Sequence, residues 1–181
     1  NNLPAITDQS WAFTTMVEPT ADLFFSEYIE GSSSNKAIEI YNPTGAPVDL
    51  TPYEVRQFSN GSSTVNNTED LTGTLDDGAV FVIANTGADE AILAVADITS
   101  NVTFYNGNDA IGLYKDGVLI DIIGLTTLPE PDSNTPAWDV AGVTGATAEH
   151  TLVRKSAVVI GNTDWAASAG TNEDDSEWMV F

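Results

Sequence analysis

The fold is decided by one stretch, Leu23-Phe24-Phe25-Ser26-Glu27-Tyr28-Ile29-Glu30-Gly31-Ser32-Ser33-Ser34-Asn35-Lys36-Ala37-Ile38-Glu39-Ile40-Tyr41-Asn42-Pro43-Thr44. Two β-prone runs, residues 23–30 and 37–41, flank a segment of Gly, Ser and Asn that is typical of a turn. In the second run, Ile38 and Ile40 alternate with more polar neighbours, so one face is predicted to point inward. The stretch therefore predicts two neighbouring β-strands.

The same rhythm of short β-prone runs and Gly, Asn, Asp, Pro or Ser clusters continues along the chain. The sequence Tyr114-Lys115-Asp116-Gly117-Val118 predicts a hairpin, because both turn positions need a positive φ that Asp-Gly tolerates. A short helix is predicted over residues 89–95. The predicted strands cover residues 23–30, 37–41, 53–59, 79–84, 110–114, 118–123, 151–154 and 178–181. Eight strands suffice for an all-β sandwich of two packed antiparallel sheets.

The charge of the chain is one-sided, with 27 acidic residues against 5 Lys and Arg and a formal net charge of -22. A phosphate backbone requires clustered cations, and only Arg154 and Lys155 are adjacent. This pattern argues against direct nucleic-acid binding and against anionic membranes. Solubility of a secreted protein explains such an acidic excess, and specific cation sites are the alternative explanation.

Length and composition favour a single globular core. The chain has 181 residues, of which 42% are hydrophobic, and no cysteine, so disulfides and thiolate chemistry are excluded. No apolar run is long enough to span a membrane, and the start shows no signal-peptide pattern, which suggests a removed signal peptide or an excised domain. Residues 1–21 are predicted to form an extension or linker packed on a sandwich of residues 22–181.

Several motifs carry a resemblance to a known family. The stretch 23–44 closely resembles the start of bacterial lamin-tail domains, and it is followed in the order expected of that family by Val48-Asp49-Leu50. The later matching segments are Gly107-Asn108-Asp109-Ala110-Ile111-Gly112-Leu113-Tyr114-Lys115-Asp116-Gly117, residues 118–124, Thr151-Leu152-Val153-Arg154-Lys155 and Glu177-Trp178. The resemblance covers roughly residues 21–181.

The resemblance implies an immunoglobulin-like β-sandwich of two antiparallel sheets. In bacteria such domains resemble accessory modules of secreted or surface proteins, often beside extracellular nucleases, phosphatases or other hydrolases. The family supplies no catalytic residues to carry over to this chain, and fold alone does not specify function.

The residues themselves give no catalytic constellation. His150 is the sole histidine, and its expected state is an edge or turn imidazole bonded to the backbone. With 27 acidic residues, chance carboxylate pairs are unavoidable, and nothing singles out one pair for hydrolysis. The sequence thus predicts a protein that is not an enzyme and needs no cofactor, with a hydrolase using Asp132 or Asp175 as the least favoured alternative.

Crowded acidic loops are the candidate calcium sites, because Ca²⁺ needs converging oxygen ligands. The stretch Asn106 to Asp109 is one such loop. The better candidates are Asp132 and Asn134, together with a second group formed by Glu173, Asp174, Asp175 and Glu177. None follows an EF-hand pattern, and a solvated loop is the competing interpretation for each.

Tryptophans in loop contexts are the candidate ligand platforms. Trp11, Trp138 and Trp165 could present exposed rings to a carbohydrate, or they could cap the open ends of the sandwich core. Trp178 lies in an apolar terminal run and is assigned to the core. Functional residues are expected in the polar loops 59–70, 128–147 and 162–177.

These patterns together favour a non-catalytic module of a secreted or surface protein that attaches to a polymer, a matrix or a partner domain. Its expected partners are neighbouring domains of a larger secreted protein and polysaccharide or cell-surface material. A structural spacer without a ligand and a calcium-dependent carbohydrate-binding module are the alternatives.

Overall fold

The computed structural model describes residues 21–181. The extension predicted at residues 1–21 lies outside this range apart from Ala21, and so does Trp11. Among the residues described, no helix is long and apolar enough to cross a membrane.

Twelve strands and two short α-helices form within the described range, and every strand predicted from the sequence is present to within one residue at each end. The elements are β1 Phe24–Glu30, β2 Lys36–Tyr41, β3 Val48–Asp49, β4 Tyr53–Phe58, β5 Asn67–Asp70, β6 Thr74–Leu75, β7 Val80–Ala84, α1 Glu90–Leu93, β8 Ile98–Thr99, β9 Ala110–Lys115, β10 Val118–Ile123, β11 His150–Arg154, α2 Trp165–Ala169 and β12 Trp178–Val180.

The strands form two main sheets. One has six strands in the order β12-β11-β1-β2-β7-β8, the other has four in the order β10-β9-β4-β5, and β3 pairs with β6 beside them. All pairs are antiparallel except β7 with β8, which run parallel because α1 connects them. The fold class predicted from the sequence, an immunoglobulin-like β-sandwich, is confirmed.

The structure confirms the predicted hairpin at Asp116-Gly117 and the predicted short helix. The β9–β10 hairpin turns through Asp116 and Gly117, with φ angles of 50° and 75°. The predicted helix at 89–95 is present as the single turn α1. Asp-Gly fits this turn because both positions need a positive φ.

Two predicted loops contain regular structure, so the prediction of structureless loops there is wrong. Strand β5 lies within 59–70, and its polar sequence hid it because Asn and Asp are depleted in strands. Helix α2 lies within 162–177, with Asp164 accepting a hydrogen bond from the Ala167 N–H at 3.2 Å. Gly170 follows α2 with a φ of 64°. The Asp cap and the terminal Gly were the sequence signals for this helix.

The core lies between the two main sheets. Ile38 and Ile40 are 1% and 0% exposed, which confirms the predicted inward face of β2. They pack in one cluster with the inward side chains of the four-stranded sheet, among them Val55, Ile111 and Leu113. Trp178 is fully buried in the same cluster, as predicted. Apolar burial between the sheets is the main stabilising term.

A buried ion pair joins the sheets through that core. Arg154 of β11 donates through Nη2 to both carboxylate oxygens of Asp121 in β10, at 2.9 and 2.8 Å. The two side chains are 2% and 0% exposed. Arg154 also donates to the Phe25 carbonyl at 3.1 Å, while Asp121 accepts from the Phe25 N–H at 2.8 Å. The pair thus fixes β1, β10 and β11 to one another.

Two tyrosines fill one end of the core. The rings of Tyr28 and Tyr105 stack with centroids 4.7 Å apart. Tyr28 donates to the Thr147 carbonyl at 3.0 Å, and the Tyr105 hydroxyl lies 2.9 and 2.8 Å from the carbonyl oxygens of Ile29 and Ala37. Burial raises the pKa of both phenols well above their usual value of 10.0.

We expect Asp121→Asn to lower the free energy of unfolding by about 3–5 kcal/mol, because it leaves the Arg154 charge buried without its counter-ion. Urea unfolding at neutral pH measures this loss. Glu54→Gln is the matched control, since it removes the partner of Arg56 in a more exposed pair and is expected to change stability by less than about 1 kcal/mol. Equal losses in both variants would contradict the assignment.

We expect stability to fall as the pH rises above 10, because the unfolded tyrosines ionise there while buried Tyr28 and Tyr105 keep their protons. The two phenols add up to about 2.7 kcal/mol per pH unit to the slope. Melting temperatures across this range should fall less steeply in Tyr28→Phe/Tyr105→Phe. At pH 8 the tyrosines are not ionised, so the difference in melting temperature there measures only the loss of the hydroxyl hydrogen bonds. Part of the slope should persist, since a hydrogen bond to Asp22 also raises the pKa of Lys115.

Candidate functional site

The longest connection, residues 124–149, lies with several others at one end of the sandwich. Because neighbouring strands alternate in direction, the C-terminal ends of β1, β4 and β10 lie beside the N-terminal ends of β2, β9 and β11. The connections at these ends include residues 31–35, 59–66, 104–109 and 124–149. We call this region the loop end. Loops held on a rigid scaffold are the usual place for binding residues.

An exposed aromatic ring lies in an open cleft at the loop end. Phe104 directly follows a 3-10 turn, Asn101–Thr103, and is 51% exposed. The cleft has a volume of about 290 Å³, and we call it the Phe104 cleft. Its remaining lining is mostly polar and includes Ser34, Ser59, Asn60, Asn85, Asn106 and Asp109. Sequence reasoning missed Phe104 because it considered only tryptophans as platforms.

The walls of the Phe104 cleft hold an unfavourable backbone conformation. Ser33 and Asn60 have φ angles of 60° and 52°, a region that residues other than Gly seldom adopt. Asp109 holds the Asn60 turn by accepting from its N–H at 2.7 Å, and it also accepts from the Asn106 N–H at 2.9 Å. Burial raises the pKa of Asp109. Such strain, held in place by neighbours, is concentrated at functional sites in proteins.

A second cleft lies on the other side of the Ser59–Gly61 turn. This Trp138 cleft has a volume of about 350 Å³ and is lined by Leu125, Leu128, Asp132, Asn134, Pro136 and Trp138. Trp138 is half-buried, and its backbone N–H donates to Thr147 Oγ1 at 2.8 Å. Gly124 allows the ring to lie close, because a Cβ there would come within 2.4 Å of it. The structure therefore brings Trp138 together with Asp132 and Asn134, which the sequence had assigned to different ligands.

Asn108 lies buried beneath the Trp138 cleft. Its Nδ2 donates to the carbonyl of Thr135, a residue of the Trp138 cleft, at 2.9 Å. Asn108 is 7% exposed, and its Oδ1 is the one buried side-chain polar atom in residues 21–181 without a hydrogen-bond partner. Buried polar atoms are almost always satisfied, so this oxygen is an exception beneath the loop end.

The candidate calcium ligands in the loop of Asp132 serve a local turn. Asp132 Oδ1 accepts from the N–H of Asn134 at 2.9 Å and from its Nδ2 at 3.0 Å. Both side chains are exposed. This arrangement is the ordinary Asx turn, in which a carboxylate replaces a backbone carbonyl.

The acidic group at residues 173–177 is likewise engaged within the chain. Asp175 accepts from the N–H groups of Thr171 and Asn172, and a hydrogen bond from the Thr171 hydroxyl lowers its pKa. Glu177 accepts from Arg154 at 2.7 Å and from the Ser168 hydroxyl at 2.8 Å. Glu177 is therefore a structural partner of the buried arginine.

The structure supplies no converging ligand set for calcium. Glu173 and Asp174 are exposed, and no group of three or more His, Asp or Glu side chains in residues 21–181 is placed to hold a metal ion. Calcium binding remains a prediction of the sequence, without a site to support it.

Trp165 is not a ligand platform, and its prediction as one is wrong. It is the first residue of α2 and is only 3% exposed, packed in the core cluster. The helix, missed in the sequence, turns the indole inward and leaves no ring face for a ligand. The competing interpretation, that the ring caps the sandwich core, is the correct one for this residue.

His150 occupies the position expected of a structural histidine. Its Nδ1 lies 2.6 Å from the Ala148 carbonyl oxygen, at the start of β11. A backbone carbonyl is a common partner of an imidazole nitrogen, so the bond needs no functional explanation.

Comparison with known proteins agrees with this architecture. The family model described as Lamin Tail Domain matches residues 17–127, which is more than half of the chain. No curated protein matches the chain. The family match ends before β11, α2 and β12, yet β11 and β12 complete the six-stranded sheet. The lamin tail domain is an immunoglobulin-like module and not a catalytic family, and this chain belongs to the lamin tail domain family.

Proposed function

We propose that this protein is a non-catalytic attachment module of a secreted or surface protein, and that its loop end binds a neutral polysaccharide. The observation that carries the proposal is the exposed ring of Phe104 in an open polar cleft. An exposed aromatic side chain beside convergent polar groups is the usual composition of a small binding site.

The chemistry of the Phe104 cleft suits a sugar ring. The C–H face of a pyranose packs on an aromatic ring, while its hydroxyls need donors and acceptors around the rim. Asn60, Asn106 and Ser59 supply amide and hydroxyl groups of both kinds. Phe104 would therefore act as the platform and the amides as the specificity groups.

Two clefts on either side of one turn favour a polymer over a single sugar. The Phe104 cleft includes Asn60, and the Trp138 cleft includes the next residue, Gly61. A chain that crosses the Ser59–Gly61 turn could place one sugar in each cleft. Simultaneous contacts raise the overall affinity above that of either cleft alone.

Charge narrows the class of polymer. A net charge of -22 repels anionic polysaccharides and nucleic acids at long range, so a neutral glycan is the consistent ligand. Neighbouring domains of a larger secreted protein would be the other partners, with the module holding them near a matrix or cell envelope. A spacer without a ligand would give no role to the combination of the Phe104 ring and the polar groups around it.

We expect the protein to bind at least one neutral polysaccharide, and Phe104→Ala to weaken that binding about tenfold, which is about 1.4 kcal/mol. Affinity electrophoresis in soluble glucan, xylan and galactomannan, followed by calorimetry with the best binder, measures the change. Phe181→Ala is the matched control, because it removes another exposed ring, 69% exposed, from the residue that follows β12.

Calcium and chelator arms of the same experiment separate the alternatives. Equal binding in both is expected, and binding only with calcium would favour a calcium-dependent carbohydrate-binding module. Absence of binding to every polysaccharide, or equal binding by Phe104→Ala and the unaltered protein, would overturn the proposal and favour a spacer.

A further inference from the structure

The face of the six-stranded sheet that points away from the core carries apolar side chains beside two carboxylates. One cross-strand row runs through Met179, Val153, Glu27, Glu39 and Val82. Ile29 and Ala37 of the same face, Ile92 of α1 and Val95 just after α1 extend the surface. Val95 is 67% exposed and Met179 is 38% exposed. Exposed apolar surface beside polar groups commonly marks a contact site.

A groove forms where α1 and the residues that follow it, as far as Val95, lie against this face. It has a volume of about 190 Å³, and we call it the outer groove. Glu27 and Glu39 lie along it among apolar side chains from Ile29, Ala37, Val82, Ala91, Ile92 and Val95. It shares no residue with the two clefts of the loop end.

The two carboxylates face each other directly. Glu27 and Glu39 are register partners on β1 and β2, and like charges opposite one another destabilise a sheet. Glu39 accepts a hydrogen bond from the Ser26 hydroxyl at 2.6 Å. Burial, together with the nearby Glu39 charge, raises the pKa of Glu27. Partly buried charges normally have an ion-pair partner, and in residues 21–181 neither Glu27 nor Glu39 has one.

No Lys or Arg side chain of residues 21–181 supplies that compensation. The chain has 5 Lys and Arg, all within the described range, and each is engaged elsewhere. Their partners are Glu30 for Lys36, Glu54 for Arg56, Asp22 for Lys115, Asp121 for Arg154 and the Glu173 carbonyl for Lys155. Residues 21–181 thus leave Glu27 and Glu39 without a counter-charge, which a cation from a partner would supply.

We propose that the outer groove binds a segment of a partner protein that presents a lysine or arginine next to apolar side chains. The cation would lie between Glu27 and Glu39, and the apolar side chains would cover Ile92 and Val95. A bare calcium ion fits poorly, since it needs six to eight oxygen ligands and the groove is apolar. A second copy fits poorly too, because it would add two carboxylates and another charge of -22.

The test uses the full chain and a short synthetic peptide of alternating leucine and lysine. We expect saturable binding by calorimetry, and NMR chemical-shift changes centred on Ile92 and Val95. Glu27→Gln/Glu39→Gln should weaken binding about tenfold or more, and Val95→Ser should also weaken it, because charge and apolar contact both contribute.

Three controls separate this site from general attraction to an acidic protein. Glu130→Gln/Asp70→Asn removes the same charge from exposed positions elsewhere and should bind like the unaltered protein. A peptide of alternating serine and lysine, with equal charge, should bind more weakly. Phe104→Ala should bind the leucine-lysine peptide normally, so failure of the polysaccharide proposal leaves this one standing.

Several outcomes would overturn the inference. They are no detectable binding of the leucine-lysine peptide, equal loss in both double variants, and equal binding of the serine-lysine peptide. Binding to phosphatidylcholine vesicles in place of the peptide would likewise overturn it and assign the face to a lipid surface.

Discussion

The relative placement of the two sheets depends on the buried Arg154–Asp121 pair, because it is the one charged contact that crosses the apolar core between the sheets in the described structure. An unpaired charge at this depth is strongly destabilising, so the pair must be matched completely. The match is close: Arg154 uses Asp121, Glu177 and the Phe25 carbonyl, while Asp121 also accepts from the N–H groups of Phe25 and Asn162. The stack of Arg154 on Trp178, at 4.1 Å, completes its surroundings.

This constraint explains why the final third of the chain belongs to the sandwich. Arg154 lies in β11 and Glu177 precedes β12, so the ion pair ties both strands to β1 and β10. With the sheets fixed in register, the loops at the opposite end can hold unfavourable backbone at Ser33 and Asn60. The buried Tyr105 stabilises this end of the sandwich, because its hydroxyl donates hydrogen bonds to the carbonyls of Ile29 and Ala37. A rigid scaffold and strained loops are the combination that positions a binding site.

Scarcity of cations shapes both candidate surfaces. With all 5 Lys and Arg engaged in contacts within the chain, the remaining carboxylates determine what the protein attracts. In the two clefts of the loop end Asp109 and Asp132 are used in turns, which leaves amides and aromatic rings for a neutral ligand. On the outer groove the unpaired Glu27 and Glu39 favour a cationic one. The two surfaces therefore differ in chemistry and can act independently.

Sequence by itself determined the eight main strands, the Asp116-Gly117 hairpin, the inward face of Ile38 and Ile40, and the family, since two-residue alternation and turn chemistry are local properties. The Asp164 cap of α2 was also local, but it lay in a polar stretch that suggested a loop. Only the tertiary structure decided that Glu177 pairs with Arg154 and that Trp165 is buried. It alone also placed the exposed Phe104 ring in a cleft. Only register brought Glu27 opposite Glu39. Burial and pairing depend on which distant strands meet, and the energy of those contacts is set by long-range packing that no local pattern encodes.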